Sequence, residues 1–378
     1  MKLRLKETPE QVELVRAIGS KNLTVAREAS EAFAAFLGPV IQEVIQQAGT
    51  ASMIYTDAPF DEDDSPSYPL DLYYNESDNY LTVWSQNMAG GLPASHVSGM
   101  EELKISTYKL DSAVTFNKRY ARRARLDIVS KVIERMAQEV LVKQERNAWA
   151  VILKALAEAT TTPDGGSALF HALNVGTAGS GSAADFEMQH LNDLMVRIKR
   201  LNESFAGGSP AAPYSQGLTD LYVSPEKKAN IRGFAYNALG GSQGGTANTD
   251  LPDGVRENIF RSAGMEEIYG VNIIEMIELG VGKKYNDLFN TLSSATYTGS
   301  VSEAMTATDE LAVGLDNSKG AFIRPVARSS ESGGGTFVAL PDDQYNITRV
   351  DKAGFYGMLE EGRVCIDARA ICGLIFKD

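Results

Sequence analysis

Three features of the sequence predict an α+β fold. Apolar residues recur at 3–4 spacing over roughly 30 positions from Leu126, with no Gly or Pro between Asp111 and Thr162. Segments before and after that stretch alternate apolar and polar residues at the period of two that a half-buried strand requires. Strands and helices in the centre of the chain follow one another without the regular βαβ rhythm of a doubly wound sheet.

The first segment, residues 1–55, reads as helical and arm-like. Thr8 and Gln11 have capping-box spacing, and Pro9 stands at a first helical position. Val12, Val15 and Ile18 then recur every three residues, and Gly19 ends the turn. A second helix is expected from Thr24 to Leu37, broken by Gly38-Pro39. A short third helix then runs through Val40, Val44 and Ile45 to Gly49. Residues 56–68 read as loop around the acidic run Asp61-Glu62-Asp63-Asp64, with Pro66 and Pro69 nearby. The glycine and distal Glu of an EF-hand loop are missing there, so a solvated loop or a contact with a basic neighbour is the better reading.

Residues 70–110 read as a long two-stranded ribbon. Leu70, Leu72 and Tyr74 alternate, as do Tyr80, Thr82 and Trp84, and Leu103, Ile105 and Thr107 on the return; Gly90-Gly91 and Pro93 mark the tip. Two strands cannot bury both faces alone, so the ribbon must lie on its own domain or on another subunit. The apolar positions Leu126, Val129, Ile133, Met136, Val140, Ile152 and Leu156 then define a helix of about 45–50 Å, a strut far longer than the usual three turns. Residues 167–184 are Gly/Ser-rich and mark a domain boundary. A second amphipathic helix carries Phe186, Leu191, Leu194, Met195, Ile198 and Leu201. Leu218 to Val223 is a short apolar strand, and Ser224-Pro225 starts a helix from Glu226 to Phe234. Tyr269 to Glu275 reads as a strand entered through Gly270. Residues 311–378 are mostly strand, including Leu311–Leu315, Ala321–Ile323, Tyr345–Val350 and a last segment from Val364 to Phe376.

This order of arm, ribbon, long helix, central α+β unit and returning strands resembles the Hong Kong 97 fold of tailed-phage capsid proteins, shared with encapsulin shells. Local sequence supports the resemblance: Leu221-Tyr222-Val223-Ser224-Pro225 before a helix, Ile268-Tyr269-Gly270-Val271, and Val364-Cys365-Ile366-Asp367-Ala368-Arg369-Ala370-Ile371 near the end, where Ala368 replaces the usual Pro. The resemblance implies an N-terminal arm (1–55), an extended loop (56–110), a spine helix with peripheral domain (111–184), an axial domain (185–318), peripheral strands (319–360) and a returning axial strand (361–378). It implies a virion protein that assembles in the host cytoplasm into hexamers and pentamers of an icosahedral shell around double-stranded DNA, with no sequence-specific binding, no membrane and no cofactor. Partners implied are a separate scaffolding protein, because the first 50 residues have only the length of an arm, together with a portal and a decoration or cement protein. The runner-up from the same fold is an encapsulin-like compartment; from another class, a hydrolase with a loop serine.

Composition agrees with a large soluble core: 378 residues, 43% apolar and 22% charged, with a formal charge of −13. That charge argues against a general nucleic-acid binder and suits a wall that must not stick to packed DNA. The start, Met1-Lys2-Leu3-Arg4-Leu5-Lys6, has no secretory core. Cys365 and Cys372 are an odd distance apart, so on one strand they would face opposite sides and stay unpaired. Gly240-Gly241-Ser242-Gln243-Gly244 has the letters of a nucleophile elbow without the flanking strand and helix. Gly280-Val281-Gly282-Lys283-Lys284 lacks Walker spacing. No catalytic, cofactor or metal residues are assigned.

The candidate inter-subunit residues fall in three groups. Leu72, Tyr74, Tyr80, Trp84 and Ile105 form the apolar face of the ribbon; each is worth roughly 1.5–3 kcal/mol on burial. Lys118, Arg119, Arg122, Arg123 and Arg125 form a basic cluster that could meet a neighbour's acidic segment, enclosed DNA, or only solvent. Asp61, Asp63 and Asp64 are the acidic counterpart, with Glu101 and Glu102 beside them in that role.

Overall fold

The computed structural model describes residues 9–47, 49–61, 65–69, 102–123, 126–158, 172–176, 183–205, 217–233, 267–296, 305–328, 337–341 and 352–378. In chain order the strands are β1 (Thr56–Asp61), β2 (Ser67–Pro69), β3 (Glu102–Lys104), β4 (Tyr108–Asn117), β5 (Ala172–Val175), β6 (Asp220–Val223), β7 (Glu267–Ile268), β8 (Val271–Glu275), β9 (Glu310–Leu315), β10 (Phe322–Arg328), β11 (Val338–Pro341), β12 (Lys352–Glu361), β13 (Val364–Cys365) and β14 (Ile371–Phe376). The helices are α1 (Pro9–Ile18), α2 (Leu23–Gln47), α3 (Ala51–Ile54), α4 (Lys118–Arg122), α5 (Leu126–Glu158), α6 (Met188–Phe205), α7 (Pro225–Gly233) and α8 (Lys284–Thr296). The fold is therefore mixed α+β. Two units share the chain: Met1–Tyr68, Leu103–Trp149 and Phe322–Val364 make the first, and Pro69–Glu102, Ala150–Ala321 and Cys365–Asp378 the second.

In the first unit β1, β10, β12 and β11 lie side by side, and β4 pairs antiparallel with β12 from Asn117 opposite Lys352 to Tyr108 opposite Glu361. β1 joins β10 in parallel. The 33-residue helix α5 is the expected strut, and α1 begins at Pro9 and buries Val15 and Ile18, again as expected. One core takes Val15, Ile18, Phe33 and Leu37 from α1 and α2, Ile133, Met136 and Val140 from α5, and Phe116, Phe337 and Phe355 from the sheet. The N-terminal helices are thus part of this unit's own interior.

Three expectations fail here, each for a physical reason. Residues 56–61 are a strand rather than loop. β1 is a sheet edge, where Pro59 is tolerated, and its side chains are half-exposed or exposed, so no apolar alternation betrays it. α2 continues through Gly38-Pro39. Glycine before the proline relieves the Cβ part of the clash that disfavours helical backbone there, so the helix can pass through. The strand expected to stop at residue 110 runs on to Asn117 in β4: Leu110, Val114 and Phe116 face inward while Lys109, Asp111, Thr115 and Asn117 face out. The run Tyr345–Val350 lies outside the described residues, and the strand appears from Lys352 instead.

In the second unit the order is β5-β14-β9-β6-β8-β7. β6, β9 and β14 are buried along their whole length, which explains their near-continuous apolar sequence. Phe186 and, from α6, Leu191, Leu194 and Ile198 share one core with Leu221, Val223, Ile273, Ala312, Leu374 and Phe376 of the sheet. A Cβ on Gly314 would lie 2.6 Å from Leu218 Cδ1 and 3.1 Å from Leu194 Cδ2, so only glycine lets these side chains close on β9. Tyr269 (φ 53°) and Gly270 (φ 80°) form the two-residue turn between β7 and β8.

Ser224 starts α7 as its sequence suggests. It is fully buried and its Oγ accepts from the Lys227 N–H at 3.1 Å. Ser224→Ala is expected to cost about 1 kcal/mol, the usual worth of such a cap. Urea unfolding should show it as a lowered midpoint with unchanged slope. No shift in midpoint would mean that the hydroxyl does not cap.

Candidate assembly surfaces

The basic cluster sits on α4. Asn117, extended at φ −77° and ψ 130°, accepts from the Arg119 N–H and starts the helix. Lys118 is nearly buried, whereas Arg119, Arg122 and Arg123 are exposed. Arg122 Nε donates to the Gly19 carbonyl at 2.8 Å. A Cβ on Gly19 would stand 2.8 Å from the Arg122 backbone nitrogen, so glycine permits the approach. Lys118 is thus buried within its own chain and Arg122 is bonded to it, whereas Arg119 and Arg123 lie exposed on the surface. Arg125 lies outside the described residues.

At the base of the loop β2 pairs with β3, and the Ile105 N–H donates to the Pro66 carbonyl at 3.1 Å. Ile105 is only 8% exposed, packed within its own unit, and is not a free ribbon face. Leu72, Tyr74, Tyr80, Trp84, Asp63 and Asp64 lie outside the described residues. Asp61 ends β1, exposed, with Arg328 beside it in the sheet register.

A buried ionic cluster that sequence reading missed ties the first unit together. Glu361, at the end of β12, is fully buried. Its Oε1 accepts from Tyr108 Oη at 2.8 Å, and its Oε2 from Gln144 Nε2 at 3.0 Å and Arg324 Nε at 2.7 Å. Arg363 stands 3.4 Å away and covers the Tyr55 ring. Arg324 also reaches Asp57 of β1 at 3.2 Å. Burial pulls the Arg324 pKa down, but the Glu361 and Asp57 carboxylates outweigh it and hold it above the ordinary value. Burial, reinforced by the Glu361 charge, pushes the Tyr108 phenol up to about 12. Neighbouring Glu360 faces the other way, accepting from Thr107 Oγ1 at 2.7 Å. This is the opposite-sides geometry that adjacency in a strand dictates.

The second unit has its own ionic cluster at the chain end. Lys227 Nζ lies 3.1 Å from Glu310, donates to the Ala184 carbonyl at 2.8 Å and stands over the Phe376 ring. Lys377 pairs with Asp309 at 3.1 Å. Burial would raise the Asp309 pKa, but hydrogen bonds from Asp378, Thr306 and Lys377 hold it below the usual value, while burial keeps Glu310 above its own. Cys365 and Cys372 are free thiols; the turn Ala368–Ala370 separates their strands, so the reasoning from one continuous strand does not apply.

His190 Nδ1 accepts from the Glu187 N–H, and the ring meets Phe376 edge-on. Gly280 to Lys283 form a turn before α8, and the elbow-like run at Ser242 lies outside the described residues. Among the described residues no group of three or more His, Cys, Asp or Glu could hold a metal ion, and no helix is long and apolar enough to cross a membrane.

No protein-family model matches the sequence, and no curated protein matches it. Solved structures do. The capsid structure of the cyanophage P-SCSP1u is 12% identical, covers 86% of each chain and has a TM-score of 0.53. The capsid of an empty GTA particle, 12% identical over 87% of this chain and 90% of that one, reaches 0.47. A virus-like particle from Pyrococcus furiosus, 11% identical over 90% and 98%, reaches 0.43. The first of these carries the assignment: the chain has a phage-capsid fold. Within that class it is the tailed-phage major capsid fold that the order of its elements resembles.

Proposed function

We propose that this chain is the major shell subunit of a tailed phage, assembling as hexamers and pentamers into an icosahedral head around double-stranded DNA. The observation that carries the reading is likeness to a phage capsid subunit over 86% of both chains. The role is structural. In this reading residues 1–55 act as the N-terminal arm, 56–110 as the extended loop, α5 as the spine, and the sheet of the second unit as the axial domain. The ribbon residues Leu72, Tyr74, Tyr80 and Trp84 would lie on a neighbouring copy. Arg119 and Arg123, both exposed, would face the acidic run at Asp61, Asp63 and Asp64 of another copy, setting register more than adding affinity. A scaffolding protein, a portal and a decoration protein complete the partners.

Electron microscopy of the purified full chain tests this. Large closed shells that hold nucleic acid are expected. Small shells filled with an enzyme would favour a cellular compartment of the same fold, and a small oligomer under all conditions, including with its scaffolding partner, would overturn the shell role.

A further inference from the structure

α5 carries a surface feature that none of the candidate contacts includes. Lys131, Arg135, Lys143 and Arg146 are all exposed, and their spacings place them on one side of the helix with Gln138, Glu139 and Val142. Ile133, Met136 and Val140 occupy the opposite side and fill the core. The stripe ends where Trp149 and Leu153 bring the same side of the helix indoors. At about 1.5 Å per residue its four cations span about 22 Å of rigid backbone.

We infer that this stripe is a contact face for nucleic-acid phosphates. Two other exposed helical cations take a carboxylate one turn on, Arg27 with Glu31 and Lys154 with Glu158. On the stripe Glu139 stands at that same spacing from Arg135 and Glu134 three residues after Lys131, yet among the described residues none of the four cations is ion-paired. The net charge of −13 opposes binding over the surface as a whole, but four cations held in a row on a straight helix locally suit a regular line of negative charge. Duplex DNA offers a phosphate about every 3.4 Å along each strand, so about six lie alongside the stripe. An interface with a folded protein would need apolar area at its centre, and Val142 is the single apolar side chain here. Such contacts position a duplex without reading its sequence.

The inference deepens the shell reading and rests on it for the source of the DNA, but the two are tested apart. Binding of a labelled duplex of about 20 bp to the unassembled full chain is measured by fluorescence anisotropy across a salt series, for wild type, K131Q/R135Q/K143Q/R146Q and R119Q/R123Q. Glutamine keeps the helix propensity, and equal melting curves establish that the variants fold. Wild type should bind duplexes of unrelated sequence equally, with affinity falling steeply as salt rises. The fourfold variant should bind at least tenfold more weakly at low salt. Its log–log salt slope should be shallower by up to about 0.9 for each cation removed. R119Q/R123Q should lose less. No duplex binding by wild type, an unchanged slope in the fourfold variant, or binding of labelled polyglutamate in preference to the duplex overturns the stripe. If the fourfold variant still forms shells by electron microscopy while its slope is unchanged, the stripe fails and the shell role stands.

Discussion

Glu361→Gln should destabilise the first unit by about 3–5 kcal/mol. Glutamine fills nearly the same space, so packing is not the cause. The loss removes the only carboxylate in direct contact with both Arg324 and Arg363 among the described residues, whose side chains are 12% and 3% exposed. Arg324 keeps Asp57, which is half-exposed, and among the described residues Arg363 keeps the Tyr55 ring. Two guanidiniums out of water with one counter-charge gone cost more than the original pair ever contributed, since pairing largely offsets their desolvation. Urea unfolding followed by Tyr and Trp fluorescence reads the effect. Converting Arg363 to Met in the Gln variant should recover part of the loss, because the surplus buried charge goes with it. A loss below about 1 kcal/mol in the single variant, or no recovery in the double, would show that water already screens the site.

Phe355→Ala should cost about 3–5 kcal/mol, the range for removing a buried aromatic ring. Phe355 is 3% exposed on β12. Its ring centroid lies 5.2 Å from that of Phe33 on α2 and 5.9 Å from that of Phe116 on β4, so one side chain joins the N-terminal helices to the sheet. Beyond the global loss, amide hydrogen exchange should speed up first in α2, which meets the sheet through this aromatic group, and in α1, which packs on α2. Protection lost only within β12 and β4 would show that α1 and α2 are held by other contacts.

How much of this was legible beforehand depended on the range of the interactions. α5 was plain because its period repeats for many turns, and α7 because Ser224-Pro225 is a local start signal. β1 was hidden: an edge strand with Pro59 and exposed side chains writes no pattern into its six residues. β4 was read only at its start: the ribbon was ended at 110, although the alternation from Lys109 to Asn117 carries on. The Glu361 cluster draws on positions 57, 108, 144, 324 and 363, which no window of sequence contains. Its one visible sign was a pair of adjacent glutamates at a strand end, of which alternation must bury one. The stripe on α5 was within reach: the same helical wheel that located the core side also located Lys131, Arg135, Lys143 and Arg146.

β14 consists of Ile371–Phe376, a few residues from the end of the chain, yet it lies between β5 and β9 inside its sheet. Without it β5 and β9 would each present a row of unpaired backbone N–H and C=O groups. Loss or misregistration of that one strand would therefore split the second unit's sheet at an interior position and create two pairing edges in place of a continuous ladder.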